Sequence, residues 1–150
     1  MIAERAGTSA TPEVHRLDLR LGYADCDPAQ IIYYGAWFPW MERVQTEWLY
    51  LNDLRPDTLE ERFGFRIVSR AAQCEYLSPA RVFDRIALSL LVEHVGRTSL
   101  RWGFRMVRHD DAALVARAWL VNVTIGPDGE PVPVPEPMRS ALLNVMAPHR

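Results

Sequence analysis

The chain has 150 residues and a formal net charge of -2, and its 17 basic side chains are all arginines. A domain of this length buries ~70% of the surface of its unfolded chain, so a hydrophobic core alone can stabilise it. The small negative charge argues against a protein whose main partner is the phosphate backbone of a nucleic acid. Without lysine, Schiff-base chemistry is excluded, and any bound anion must be met by arginine, histidine or backbone N–H groups.

The termini and the cysteine content favour a cytoplasmic protein of one domain. The N-terminal segment MIAERAGTSATPEVHR lacks the apolar run of a signal peptide, and the chain has only two cysteines. The longest apolar stretch, IALSLLV, is much shorter than the ~20 residues that cross a bilayer. We therefore expect a cytoplasmic protein that spans no membrane. No repeat or linker divides residues 1–150, and we interpret the first twelve residues as a disordered lead-in.

The first regular element is predicted to be a strand. Apolar residues alternate with mostly polar ones from Val14 to Tyr23, with one slip near His15. A period of two residues is typical of a strand with one buried face.

A long amphipathic helix follows this strand. Apolar residues recur at helical spacing along one stripe, at Trp37, Trp40, Met41, Val44, Trp48 and Leu51. Proline is tolerated only in the first turn of a helix, so Pro39 places the helix start close to Gly35 or Ala36. A short second helix is predicted between Pro56 and Gly64.

From Phe65 onward the period changes to two. Four segments alternate in this way: FRIVSRAAQCEYL, DRIALSLLVEH, SLRWGFRMVRH and ALVARAWLVNVTI. The segments VGR and HDDA supply short turns, so we expect the four strands to form an antiparallel meander. The segment MRSALLNVM predicts a helix near the end of the chain.

This order of elements predicts an α+β fold of the hotdog type. One early strand and four late ones form a sheet of about five strands, and the single long hydrophobic helix must be buried against it. The simplest way to bury the helix is for the antiparallel sheet to wrap around it.

The segment DCDPAQIIYYGAW, from Asp25 to Trp37, contains the candidate chemistry. Flanking carboxylates disfavour a thiolate at Cys26, and no histidine lies at metal-ligand spacing. Asp27 precedes a proline and then the start of a helix, where unpaired N–H groups can stabilise an oxyanion. A carboxylate beside such donors suits acyl transfer. The alternative is that Asp25 or Asp27 only caps a turn or the helix.

The longer segment DCDPAQIIYYGAWFPWMERV resembles the D-C-D-P-A-G-I-V-x-Y segment of the 4-hydroxybenzoyl-CoA thioesterase family of hotdog enzymes. The resemblance covers Gly22 to about Trp48 and is topological beyond that. It implies hydrolysis of an aromatic, 4-hydroxybenzoyl-like, or short-chain acyl-CoA to the free acid and CoA. It also implies that Asp27 is the catalytic nucleophile or general base, and that a backbone N–H near Tyr34 polarises the thioester carbonyl. The family's glycine after Pro-Ala is Gln30 here, which leaves the acyl specificity open.

The same resemblance implies where the substrate is held. Candidate substrate contacts are Gln30, Tyr33, Gly35, Arg97, Thr98 and Ser99, the last three on the hairpin turn VGRTS, where the family contacts the nucleotide. Arg97 could equally be a solvent-exposed hairpin arginine, and Tyr33 and Tyr34 could be core residues rather than pocket walls. No cofactor or metal is implied, since CoA is part of the substrate. The family also implies a homodimer or homotetramer, joined at sheet edges, with active sites at subunit boundaries.

Three alternatives stay open. A hotdog protein could bind acyl-CoA without hydrolysing it, although binding alone does not require Asp27. The substrate could be a carrier-protein thioester instead of a CoA ester. A hydratase would need a histidine beside the carboxylate, which only His94 or His109 could supply through the fold; we interpret His94, at the end of an apolar strand face, as a core residue.

Overall fold

The computed structural model describes residues 11–146. Most of the predicted lead-in falls on residues 1–10 and lies outside the described residues. The strands are β1 (Glu13–Arg20), β2 (Arg66–Tyr76), β3 (Arg85–Val95), β4 (Ser99–Arg108) and β5 (Leu114–Ile125), and the helices are α1 (Trp37–Leu51), α2 (Leu59–Phe63) and α3 (Glu136–Met146). No helix among these is long and apolar enough to cross a membrane.

The five strands form one antiparallel sheet in the order β1-β3-β4-β5-β2. The slip predicted near His15 is a register shift between Glu13 and His15. The expected meander of four strands is wrong in one respect. The two short turns do join β3, β4 and β5 as neighbours, but β2 pairs with β5 instead of β3. The connection from Tyr76 to Arg85 therefore crosses from the β2 edge, past β5 and β4, to β3, which lies next to the opposite edge strand β1.

Helix α1 lies in the concave face of the sheet, which confirms the hotdog arrangement. Its N-cap is Ala36, so the helix begins where Pro39 predicted. Trp37, Met41, Val44 and Trp48 are buried with the inward side chains of β3 and β4 in one core, where the Trp48 and Trp102 rings meet edge to face at 5.6 Å. The predicted burial of Leu51 is wrong, because its side chain is 63% exposed. The chain that follows the helix covers the Leu49 side instead.

A buried polar cluster joins the helix to the sheet. The Oδ1 atom of Asn122 accepts hydrogen bonds from Gln45 Nε2 at 2.6 Å and from Trp102 Nε1 at 2.8 Å. Its Nδ2 atom donates to Ser69 Oγ at 3.2 Å. Asn122, Gln45 and Trp102 are all buried, so their polar groups depend on one another for hydrogen bonds.

We expect Asn122→Ala to lower the free energy of unfolding by about 3 kcal/mol, because it leaves two buried donors without an acceptor. Chemical denaturation measures this loss. Gln73→Ala is the matched control, since Gln73 also accepts a hydrogen bond from an indole N–H, that of Trp119, but at an exposed site. The control should cost less than about 0.5 kcal/mol. Equal losses in the two variants would contradict the role given to burial.

Candidate active site

Asp27 begins a tight turn that fixes its carboxylate. Gln30 N–H donates to the Asp27 carbonyl at 2.8 Å, and Asp27 N–H donates to the Ile31 carbonyl at 3.0 Å. Asp27 Oδ1 accepts the N–H of Ala29 at 2.8 Å. Aspartate at the first turn position and proline at the second, here Pro28, are the residues that such a turn favours. The side chain remains exposed, and its Oδ2 accepts no hydrogen bond from the described residues.

Gln30 occupies the fourth position of this turn, and its backbone conformation explains why the resembling family has glycine there. Gln30 has φ of 64°, in the left-handed region that glycine adopts without steric cost. A side chain with a Cβ is disfavoured there by roughly 1 kcal/mol. The requirement for glycine at this position is therefore set by the backbone. The Gln30 side chain is exposed to solvent.

Both carboxylate oxygens of Asp25 accept hydrogen bonds, unlike those of Asp27. Asp25 Oδ2 accepts the backbone N–H of Gly22 and its Oδ1 accepts the indole N–H of Trp40, each at 2.8 Å. Both oxygens are thus used to tie the turn to helix α1. The two carboxylates have separate partners, Trp40 on the helix for one and Ala29 in the turn for the other.

The loop from Asp27 to Ile32 is also held by the segment that follows β2. Val82 N–H donates to the Gln30 carbonyl at 2.9 Å, and Ile32 N–H donates to the Ala80 carbonyl at 2.8 Å. An isolated bridge pairs Ile31 with Arg81. These bonds satisfy backbone groups that have no regular secondary structure to pair with.

Two backbone donors stand free at the start of α1. Ala36 N–H donates to the Tyr33 carbonyl, Phe38 N–H donates to the Gly35 carbonyl, and the Tyr34 carbonyl accepts the hydroxyl of Tyr76. Within residues 11–146, neither Tyr34 N–H nor Gly35 N–H donates to another protein group. These two N–H groups lie one and two residues before the N-cap Ala36, close to the positive end of the helix dipole, so they suit a developing oxyanion.

A pocket of about 270 Å³ adjoins these donors. Most of its lining is apolar, and it comprises Ile31, Ile32, Tyr34, Trp37, Tyr76, Leu77, Ser78 and Pro79. Tyr34 therefore lines a pocket and is 79% exposed, and Tyr33 is 39% exposed, so the interpretation of both as core residues is wrong. They precede the buried stripe of α1 rather than belong to it. Tyr76 has no sequence signal, because its partner lies 42 residues away.

Both cysteines are poor nucleophiles, which the flanking carboxylates predicted for Cys26. Burial raises the pKa of the Cys26 thiol, and the carboxylates of Asp25, Asp27 and Asp84 raise it further. Burial raises the pKa of Cys74 to about 11. Both thiols are therefore protonated at neutral pH.

The candidate nucleotide turn does not meet this site within one chain. Arg97 is exposed, and its carbonyl accepts the N–H of Val134, while Arg139 donates to the carbonyl of Gly96 at 2.7 Å. Thr98 and Ser99 follow in the same turn. Strand β3 begins beside the Asp27 loop and ends at this turn, so its eleven residues separate the two by about 33 Å.

Neither histidine considered for a hydratase is hydrogen-bonded to Asp27 within residues 11–146. His94 is exposed, so the interpretation as a core residue is wrong. The bulge between Val92 and His94 turns the imidazole to the outer face of the sheet. His109 Nε2 pairs with Asp18 Oδ1 at 2.8 Å. In the described part of the chain, no group of three His, Cys, Asp or Glu side chains is placed to hold a metal ion.

Comparison with known proteins identifies the chain as a thioester hydrolase. The sequence model of the thioesterase superfamily matches residues 29–123, and this chain belongs to that superfamily. It is 29% identical over 100 residues to the acyl-CoA thioester hydrolase YbgC of Escherichia coli, covering 66% of this chain and 73% of that protein.

Solved structures share the fold. A 1,4-dihydroxy-2-naphthoyl-CoA thioesterase from Synechocystis has a TM-score of 0.81 and 21% identity, over 89% of this chain and 98% of that one. A thioesterase from Thermus thermophilus, solved with coenzyme A and Zn, has a TM-score of 0.74 and 22% identity, over 89% of this chain and 95% of that one. At these identities the likeness establishes the hotdog fold.

We expect Gln30→Gly to stabilise the protein by about 0.5–1 kcal/mol, because it relieves the left-handed strain and this gain exceeds the entropy cost of glycine. Thermal and denaturant unfolding measure the change. Gln30→Ala is the control, since it removes the amide but keeps the Cβ, and it should not gain stability. A gain in the alanine variant equal to that in the glycine variant would point to the side-chain amide instead of the backbone.

Proposed function

We propose that the protein hydrolyses an acyl-CoA thioester to the free acid and CoA, with Asp27 as the reacting carboxylate. The observation that carries the proposal is the exposed Asp27 carboxylate on a fixed turn, in the loop that leads to two free N–H donors and an apolar pocket. Membership of the thioesterase superfamily supports the reaction type. The names of the E. coli and Synechocystis relatives support a CoA ester as substrate.

The chemistry needs Asp27 to be ionised, and two routes are compatible with the geometry. As a nucleophile, the carboxylate attacks the thioester carbonyl and expels the CoA thiolate, and water then cleaves the mixed anhydride to release the acid. As a general base, it takes a proton from the water that attacks the carbonyl. In both routes the carbonyl oxygen gains negative charge, which the N–H of Tyr34, with that of Gly35, would stabilise. The reaction requires no cofactor beyond the CoA of the substrate.

The acyl group is proposed to be aromatic or short. The pocket of about 270 Å³ is walled by Tyr34, Trp37 and Tyr76, which suit a flat ring. A 4-hydroxybenzoyl-like group would fit such walls. Gln30 and Tyr33 are adjacent in sequence to the pocket residues Ile31, Ile32 and Tyr34, and remain candidate contacts for the entering substrate.

A second copy of the chain is proposed to complete the site. Strand β2 is a sheet edge, and all but two of its residues are exposed, an arrangement that invites pairing with another strand. Antiparallel pairing of two β2 edges around a twofold axis reverses the second sheet. The partner's turn at Arg97 then lies at the same end as the Asp27 loop of the first chain. Arg97, Thr98 and Ser99 could thus meet the phosphates of a CoA bound across the boundary in a homodimer, or in a homotetramer built from such dimers.

We expect Asp27→Asn to reduce turnover by at least about 1,000-fold while folding is retained, because the amide can neither attack nor accept the proton. A thiol-release assay with benzoyl-, 4-hydroxybenzoyl-, phenylacetyl- and straight-chain acyl-CoAs measures this and identifies the acyl class. Asp128→Asn is the matched control, since Asp128 also accepts an N–H two residues on in an exposed turn. An Asp27 variant with most of its activity would contradict the mechanism. Wild-type inactivity on every acyl-CoA, with binding of CoA, would favour a carrier-protein thioester or a protein that only binds acyl-CoA.

We expect Arg97→Ala to raise KM about 10-fold with little change in kcat, because it removes a charged contact to substrate phosphate. If that contact crosses the subunit boundary, co-expression of the Arg97→Ala and Asp27→Asn chains gives mixed dimers. One site of each mixed dimer then combines a native Asp27 with a native Arg97. Activity of the purified mixed dimer at low substrate concentration should then exceed the sum of the two separate variants. Light scattering checks the oligomeric state. No recovery in a confirmed mixed dimer would contradict a shared site.

A further inference from the structure

Tyr76 connects the sheet edge to the start of helix α1. Its hydroxyl donates to the carbonyl oxygen of Tyr34 at 2.5 Å, across 42 positions of sequence. Its ring also forms part of the pocket wall. Burial raises the pKa of the Tyr76 phenol, and Cys74 raises it further, so the hydroxyl keeps its proton at neutral pH.

Among residues 11–146, the carbonyl that Tyr76 contacts accepts no backbone N–H. In a regular first turn it would accept the N–H of Phe38, but Phe38 donates to Gly35 instead. The preceding peptide is held separately, because the Tyr33 carbonyl accepts the N–H of Ala36 at 3.0 Å. The peptide that joins Tyr34 to Gly35 is therefore held at its carbonyl by a side chain alone. Glycine follows at once, so this peptide could rotate at little steric cost if the contact were lost.

We propose that Tyr76 is a positioning residue for the oxyanion site. Its hydrogen bond fixes the plane of the peptide that joins Tyr34 to Gly35 and so aims the free N–H of Gly35, which belongs to that peptide. Donation to the carbonyl also polarises the same peptide and makes the Gly35 N–H a stronger donor. This role rests on the proposed function, since it concerns the oxyanion of the same thioester reaction.

A role in donor orientation predicts a specific kinetic change. An oxyanion donor acts on the transition state more than on the bound substrate, so misorientation lowers kcat and leaves KM nearly unchanged. A residue that only forms a wall of the acyl pocket would contact the bound substrate and the transition state alike, so its loss would change KM. A residue with a purely structural role would change the free energy of unfolding.

The test compares wild type with Tyr76→Phe, which removes the hydroxyl and keeps the aromatic wall. We expect kcat to fall about 10-fold with KM changed by less than about twofold. The second readout is the affinity for an acyl-CoA thioether, in which a CH₂ group replaces the carbonyl. Calorimetry should give the same affinity for both proteins, since this ligand has no oxygen for the N–H groups to bind. Tyr50→Phe is the matched control, because Tyr50 is 62% exposed and its hydroxyl has no hydrogen bond within the described residues.

Each other outcome overturns the inference in a distinct way. Unchanged kcat in Tyr76→Phe would show that the hydroxyl does not orient the donors. A thioether affinity that falls as much as kcat would assign Tyr76 to substrate binding alone. A large loss of thermal stability with wild-type kcat would assign it to the fold alone. If wild type itself hydrolyses no acyl-CoA in the panel, the proposed function fails, and the inference fails with it.

Discussion

Backbone pairing between the loop before α1 and the segment after β2 is the constraint on which the candidate site depends. The loop from Asp27 to Ile32 belongs to no regular element, so its N–H and carbonyl groups must find partners elsewhere. Ala80 and Val82 supply two of them through direct backbone bonds. The long connection from β2 to β3 thus does more than cross the sheet. It holds in place the turn that presents the carboxylate, and its first residues form part of the pocket wall.

The sheet topology explains why one chain contains only part of the proposed site. The carboxylate, the free N–H groups and the apolar pocket lie together near the end of the sheet where β3 begins. The arginine turn lies where β3 ends, held against the C-terminal segment by Arg139. Moving this turn to Asp27 within one chain would require rebuilding the sheet. The proposed pairing of two exposed β2 edges would bring it there by symmetry, with no change in either fold.

The sequence predicted the parts of the structure that depend on local chemistry. The start of α1 follows from Pro39, the end of α2 from Gly64 in the left-handed conformation, and the shift in β1 from the slip near His15. The strand neighbours of β2 were missed because alternation predicts a strand but carries no information on its partner. The contact between Tyr76 and Tyr34 could not be predicted either, since it exists only after the sheet has closed. His94 lies on the outer face of the sheet, although alternation predicts the core face, because one bulged residue reverses the face of every side chain after it.

Asp25, Cys26, Asp27 and Pro28 are consecutive, and each of the four contributes differently to the candidate site. Both carboxylate oxygens of Asp25 accept hydrogen bonds, one from Gly22 N–H within the loop and one from the Trp40 indole on α1. Pro28 favours the turn that holds Asp27, and burial, with the acidic neighbours, raises the pKa of the Cys26 thiol. Both oxygens of Asp25 are occupied by hydrogen bonds, whereas one oxygen of Asp27 accepts none from the described residues and can approach a substrate carbonyl or a water molecule. The reactive candidate is therefore Asp27, because Asp25 accepts the hydrogen bonds that the loop requires and leaves the second carboxylate available.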